Sequence, residues 1–409
     1  MTEQLTFPPR WQQRPPAGTG SPLTAPFEVS VTELNTFQRC RRNWDETSPS
    51  RKSLHLKGVP SVALNVGSAM HYAVAAQTLG QDPEQAIREF YSASRAKIEF
   101  DYRNQVGTGL SDEELDSLDA QRMMCLQLIR AYYARYGLKN PVRPYRSIAC
   151  EVTFRIPLDE WLGIYLIGTI DQVVVDESDC PIPVETKTYS RKPNKTDWRF
   201  AHQPYGYAAA LQYLTGQRVP YFLYNGIRKT GPTQPKILKR GGVSQRWIDT
   251  TYEVYRDAVR LEHGGKIPNS YLDILNRFKA RDNSPENAFT TRFRMPVSQH
   301  AIELWLDQAA AIAREMAFSP IIYPNFPWNG CRFCRTQDLC HALQAGDDAQ
   351  YQYLVNENYR IDTTHTRKAK HIATRKNVRN VEDLAAFARN QELLPPVIED
   401  SNAETLEED

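Results

Sequence analysis

The run Gly168-Thr-Ile-Asp-Gln-Val-Val-Val-Asp176, "GTIDQVVVD", is followed after a short turn by Val184-Glu-Thr-Lys-Thr188, "VETKT". Both segments are β-branched and bounded by turn residues, the pattern of strands in a buried sheet. They nevertheless carry Asp171, Glu185 and Lys187 at positions where apolar side chains would pack better. A buried charge is costly unless it is paired or binds a metal. Side chains two apart on a strand share a face, so Glu185 and Lys187 project together, away from Val184 and Thr186. A turn centred near Ser178 sets Asp171 about opposite Glu185 on the antiparallel partner, gathering two carboxylates and one ammonium on one patch.

Two adjacent carboxylates repel, and both stay ionised only beside a cation. A hard divalent ion, Mg²⁺ or Mn²⁺, suits such a set and keeps waters for a phosphate substrate. It can polarise a phosphodiester and activate the attacking water. Lys187 would orient that water and balance charge building on the phosphate. The competing reading is a salt bridge on a half-solvated sheet.

Outward from this pair, "SIACEVTFRI" (147–156), residues 163–176, "IPVETKTY" (182–189) and "VPYFLYNGIRK" (219–229) read as strands, and 199–215, 244–263 and 297–317 as helices. Upstream, Ser30 and Glu33 have capping-box spacing, and the helix they open carries Leu34, Phe37 and Cys40 along one face. Further helices are expected at 67–79, 84–99 and 112–137. Helices, then a mostly antiparallel sheet with a crossing helix, then helices again, make an α/β core with helical flanks. Residues 1–29 read as a disordered Pro-rich lead-in. Residues 30–345 form the functional domain, with its core at about 147–263, and 346–409 a polar, solvated or partly disordered tail.

The 409 residues carry a net charge of only +2, so a uniformly basic coat is excluded and nucleic-acid contacts must be local. Loop 189–200 interleaves Arg191, Lys192, Lys195 and Arg199 with Tyr189, Trp198 and Phe200, cations for phosphates and rings for unpaired bases. Arg39, Arg41 and Arg42 offer a second basic patch, and 229–242 is a basic, turn-rich loop. No apolar run is long enough for a membrane helix. With no signal-like leader, the protein is expected in a reducing cytoplasm.

There, clustered thiols bind metal more often than they form disulfides. Cys331, Cys334 and Cys340 form C-x₂-C-x₅-C, one ligand short of a zinc site or an iron–sulfur cluster. A fourth ligand must come from elsewhere, with His341 the adjacent spare. Cys125, Cys150 and Cys180 have no such companions.

The "GTID…VETK" pair resembles the D…(D/E)-x-K core of the PD-(D/E)XK nucleases. It is most similar to the RecB-like branch, with its AddB-type and CRISPR-associated iron–sulfur nucleases. The resemblance extends over roughly residues 30–345. It implies that Gly67…His71 is the branch's Gly-x-x-x-His motif, with His71 an added metal ligand. Gln203 and Tyr207 match the Gln-x-x-x-Tyr motif near the phosphate or water, and Glu151 a peripheral site residue. It implies metal ligation by Asp171, Glu185, His71 and the Thr186 carbonyl. The same resemblance implies a [4Fe-4S] cluster on Cys40, Cys331, Cys334 and Cys340, clasping the chain's two ends, although spacing alone leaves zinc open. It further implies exonucleolytic cleavage of single-stranded DNA in recombination, repair or phage DNA processing. No Walker loop occurs, so any helicase or recombination partner is a separate protein. A structure-selective endonuclease and a non-catalytic iron–sulfur DNA-binding module are the rival expectations.

Overall fold

The structure is a computed structural model that describes residues 25–57, 62–106, 110–137, 144–190, 201–284, 287, 289–319, 322–325, 331–361 and 372–389. Its centre is a six-stranded mixed sheet of β1 (Phe27–Ser30), β3 (Arg146–Asp159), β4 (Ile164–Val175), β5 (Pro181–Tyr189), β6 (Tyr221–Arg228) and β7 (Thr290–Pro296). Strand β4 organises it. β3 pairs antiparallel along β4's length, while β4's other edge is shared between β1, parallel to Ile164–Ile167, and β5, antiparallel to Gln172–Val175. β5 and β6 then run parallel, and β6 and β7 antiparallel. The expected mostly antiparallel sheet therefore contains two parallel joints. The first comes from β1, a strand that lies mostly within the expected lead-in. The second comes from α6 (His202–Thr215), which crosses between β5 and β6.

Alternation along β6 separates two helical layers. Phe222 and Tyr224 join the cluster formed with α1 (Val31–Arg39), α6, α9 (Gln299–Phe318) and α12 (Val381–Arg389). Ile227, on the opposite face, joins α3 (Val62–Thr78), α4 (Pro83–Val106) and α5 (Asp112–Tyr136). α6 buries Ala208, Ala209, Ala210, Leu211 and Leu214. A Cβ on its Gly206 would stand 3.0 Å from both Trp305 and Val31, so the missing side chain permits the close approach of α1 and α9. α1 begins with the expected capping box, Ser30 with Glu33. Leu34 and Phe37 are buried, but Cys40 ends the helix and starts α2 (Arg41–Thr47), so it does not continue the apolar face.

One expectation needs correction. The helix read at 244–263 is shorter, α7 (Tyr252–Glu262), because the Thr251 hydroxyl accepts the Val254 N–H and caps it there. With α8 (Leu272–Asp282), α7 forms a small apolar cluster of its own in the long β6–β7 connection. The tail after residue 345 is ordered over its described part. α10 (Gln337–Ala345) is followed by α11 (Asp348–Asn358) and β8 (Tyr359–Ile361), which pairs antiparallel with β2 (Leu54–Leu56). Ala373 bridges Phe154, and Val378, Leu384 and Ala388 enter the main core. A few well-spaced apolar residues anchor a segment whose overall composition is polar. Among the described residues no helix is long and apolar enough to cross a membrane.

Candidate active site

The site forms where β4 and β5 part. Their ladder runs from Val175–Pro181 to Gln172–Val184 and stops. At the next step the Thr186 N–H is taken by a side chain instead, donating to Asp171 Oδ2 at 2.9 Å. The register thus sets Asp171 and Glu185 at the same level, as the turn geometry predicts. The neighbouring Gln172 anchors the strand to α3, donating to Thr78 Oγ1 at 3.0 Å and to Ser147 Oγ at 3.1 Å. Sequence reasoning missed this positioning residue; the signal was an amide next to an aspartate within an otherwise apolar run.

Three elements converge on the two carboxylates. From α3, His71 Nδ1 lies 3.2 Å from Asp171 Oδ2. Along β5, the Lys187 ammonium pairs with Glu185 Oε1. From the first turn of α6, Gln203 Nε2 donates to Glu185 Oε1 at 2.7 Å and to the Tyr207 hydroxyl at 3.1 Å. Pro204 follows directly and is tolerated because first-turn N–H groups have no helical partner. Tyr207 in turn packs edge-on to Phe154, with centroids 5.9 Å apart. His71, Asp171, Glu185, Lys187, Gln203 and Tyr207 are therefore one connected network.

Glu185 is 1% exposed, and its buried Oε2 atom has no hydrogen-bond partner among the described residues. Burial, reinforced by the Asp171 charge, pushes its carboxyl up to about 7. Burial also works against a charged His71, but the adjacent Asp171 outweighs it and holds the ring at about 9. Reciprocally, His71 and Lys187 hold Asp171 below the usual carboxylate range against the effect of burial. Lys187 is likewise opposed by burial and raised by Glu185 and Asp171. Burial and the two carboxylates push the Tyr207 hydroxyl well above its ordinary range, so it stays protonated. At neutral pH the protonated His71 and Lys187 face an ionised Asp171, while Glu185 is partly protonated.

Glu151 lies between the pairs Cys150–Gln172 and Val152–Ile170, at the level of Asp171. Its φ of 49° is left-handed, a conformation that costs a non-glycine residue on the order of 1 kcal/mol and occurs most often at functional sites. The Thr186 hydroxyl is buried and has no partner among the described residues.

Arg191, Lys192, Lys195, Trp198 and Arg199 lie outside the described residues. Tyr189, expected as a platform for bases, is buried at the end of β5. Arg41 pairs with Glu315 and donates to Asn325, and Arg42 donates to the Ile322 carbonyl. Both arginines brace internal contacts, which takes them out of the expected basic patch.

Cys40, Cys331 and Cys334 are near enough that each contributes to raising the Cys340 thiol, after burial and against Arg42. Cys334 Sγ contacts Asn43 Oδ1 at 3.5 Å, and the Thr336 hydroxyl donates to the same oxygen at 3.1 Å. The joining of chain ends expected of a cluster is also achieved by ordinary bonds. The Tyr351 hydroxyl donates to Glu46 at 2.7 Å, Lys52 pairs with Glu46 at 2.8 Å, and β2 pairs with β8. Cys125 and Cys150 are buried and Cys180 half-buried, as ordinary thiols. Among the described residues, no group of three or more His, Cys, Asp or Glu side chains is arranged to hold a metal ion.

A search of curated proteins returned no significant match. A sequence model of the PD-(D/E)XK nuclease superfamily matches residues 28–341, about three quarters of the chain, from β1 to α10. The matched span holds the split between β4 and β5, both carboxylates, Lys187 and the helices that reach them. PD-(D/E)XK members are typically nucleases that use divalent metals such as Mg²⁺, and the mixed α/β fold agrees with that. The chain belongs to the PD-(D/E)XK nuclease superfamily.

Proposed function

We propose that the protein is a divalent-metal-dependent deoxyribonuclease of the RecB-like branch, acting exonucleolytically on single-stranded DNA. The observation that carries the reading is the buried, unpartnered Oε2 of Glu185, level with Asp171 and beside Lys187. An unpaired carboxylate oxygen costs stability in a finished protein interior, and a hard cation is the partner this donor chemistry fits. Asp171 and Glu185 would hold Mg²⁺ or Mn²⁺, with His71 and the Thr186 carbonyl as further ligands. When bound, the ion supplies polarisation of the phosphodiester and activation of water.

The chain's own residues supply the rest. The Lys187 ammonium is fixed by Glu185, so it stands ready to orient the attacking water and offset charge developing on phosphate oxygens. Gln203 locks Glu185 from α6, and Tyr207 holds Gln203, fixing the rotamers of the first two residues. Tyr207 stays protonated and can donate to a phosphate oxygen. Hydrolysis then follows by in-line attack at phosphorus. We assign a [4Fe-4S] cluster to Cys40, Cys331, Cys334 and Cys340, whose donor number and softness suit it. Its role would be to brace the join between residues 41–57 and 331–361. A helicase or recombination protein would act as a separate partner.

The test is cleavage of end-labelled single-stranded DNA with Mg²⁺ or Mn²⁺, by anaerobically purified wild type and Glu185→Ala. Cleavage by wild type alone is expected. Cleavage by both would remove the site from the β5 strand, and cleavage by neither would favour a binding module.

A further inference from the structure

The long excursion between β6 and β7 is unused by the catalytic network, and its first part is strongly basic. Residues 229–247 carry five cations, Lys229, Lys236, Lys239, Arg240 and Arg246, and no acid, in a protein whose net charge is +2. The excursion is rooted beside the catalytic residues. Lys187 is in register with Gly226, and the Lys229 N–H donates to the Tyr189 carbonyl at 2.9 Å. Tyr189 is two residues, about 6.6 Å of strand, beyond Lys187. Arg228 pairs with Asp249 at 2.6 Å, closing 229–248 into a loop at that edge.

Within the loop, 236–244 is a small hairpin. Leu238 N–H bonds the Gly242 carbonyl, Gly241 N–H bonds Leu238, and Ser244 N–H bonds Lys236. Lys239 and Arg240 occupy the corners of the turn, and the φ values of +84° and +85° at Gly241 and Gly242 are conformations that glycine adopts freely. The base of the hairpin is fixed to the helices behind it: Val243 N–H donates to the Tyr271 hydroxyl at 2.8 Å, and Gly242 N–H to Glu262 at 2.9 Å. The hairpin is therefore anchored, while Lys236, Ile237, Leu238, Lys239 and Arg240 all face solvent. Among the described residues none of these cations, nor Arg246, forms an ion pair.

Next to it, Trp247 stacks on Phe278 at 4.5 Å and 11°, yet remains 48% exposed. The Arg277 guanidinium lies 4.9 Å from the Trp247 ring. Unpaired cations beside an exposed, pre-stacked indole are what a single nucleic-acid strand needs: charge for phosphates and a platform for bases. A protein partner would explain the exposed Ile237 and Leu238, but only an acidic one would also answer the charge, and the exposed Trp247 platform favours a nucleic-acid strand.

We propose that the 229–247 hairpin and Trp247 form a single-strand binding surface that holds the substrate beside the scissile phosphate. The identity of the strand rests on the nuclease reading; the binding itself does not require cleavage. The test is fluorescence anisotropy of a labelled oligonucleotide, as single strand and as duplex, across a salt series in EDTA with the full chain. The triple variant Lys236→Ala/Lys239→Ala/Arg240→Ala is expected to lower the slope of log K against log salt by about 2, at roughly 0.7 for each phosphate no longer neutralised. Trp247→Ala is expected to weaken single-strand binding by roughly five-fold or more, with less effect on duplex. Arg95→Ala, an exposed cation of α4 outside both sites, should keep both as control. A triple variant with the wild-type slope, or Trp247→Ala binding single strands as tightly as wild type, overturns the proposal. Either result leaves the nuclease reading standing. Conversely, a wild type that binds through these residues and never cleaves removes that reading alone.

Discussion

Gly168→Ala tests how the catalytic network is supported. Gly168 lies on β4 directly opposite Phe154 of β3, whose ring is fully buried over the glycine. A Cβ built there stands 2.8 Å from Phe154 Cζ, 3.0 Å from Cε1 and 3.6 Å from Tyr207 Cε1. Carbon atoms rest at roughly 3.5–4.0 Å, so the ring must retreat by about 0.7 Å or more. The retreat is opposed by Tyr207, packed edge-on against the same ring. Overpacking of this kind costs about 1–3 kcal/mol, and the intrinsic gain of alanine over glycine in a strand offsets roughly 0.5–1 kcal/mol of it. The expected net loss is therefore centred on about 1 kcal/mol, at most about 2.5 kcal/mol, measured as a lower urea midpoint at unchanged slope by tryptophan fluorescence. Phe154→Leu removes the ring that clashes, so the double variant should be more stable than the sum of the singles by about 1 kcal/mol. Because Tyr207 holds Gln203, and Gln203 holds Glu185, cleavage by Gly168→Ala should fall along with stability. A Gly168→Ala variant as stable as wild type, or an additive cycle, would refute this account of the support beneath the site.

The remaining predictions concern the site itself. Lys187→Ala should lower cleavage about 100-fold or more while DNA binding in EDTA persists, because it removes charge stabilisation at the reacting phosphate; retained cleavage would exclude its role. In EDTA, stability should fall as pH rises from 5 to 9. Glu185 at about 7 and His71 at about 9 both lie above their ordinary values of 4.5 and 6.5. Their contributions are complete below about 4.5 and 6.5, and are lost as pH climbs through the folded values. Urea midpoints across that range check the sign, and the decline should flatten in His71→Ala. Excess Mg²⁺ should also flatten it, by favouring the deprotonated forms. Cys331→Ser should lose iron and labile sulfide on anaerobic purification, measured by elemental and sulfide analysis; full retention would remove Cys331 from the cluster.

The paired carboxylates were legible because a charge in a β-branched run has few explanations, and turn length alone set their register. The helices on either side were legible from periodicity. What could not be read is instructive. β1 is four residues long, and β2 and β8 three each, too short for alternation to register. Their pairing depends on partners more than a hundred residues away, which no local pattern announces. The helix expected from 244 starts at 252 because one hydroxyl decides it. Gln172, Gly168 and Phe154 support the site through contacts between strands, so their roles appear only once the sheet is assembled. Arg41 and Arg42 show the converse: a basic run that resembles a substrate patch is spent on Glu315, Asn325 and Ile322.

The join between residues 41–57 and 331–361 also sets an order of events during synthesis. Glu46 and Tyr351 are 305 residues apart in the chain. At roughly 5–20 residues per second, translation takes about 15–60 seconds to deliver the tyrosine after the glutamate. For nearly the last half of that interval every residue of the carboxylate network has been made, while Glu46 still awaits Tyr351. The strands around the carboxylates can therefore pair before the join closes, and both the latch and the last core contacts, from Val378, Leu384 and Ala388, wait for the final fifth of the polypeptide.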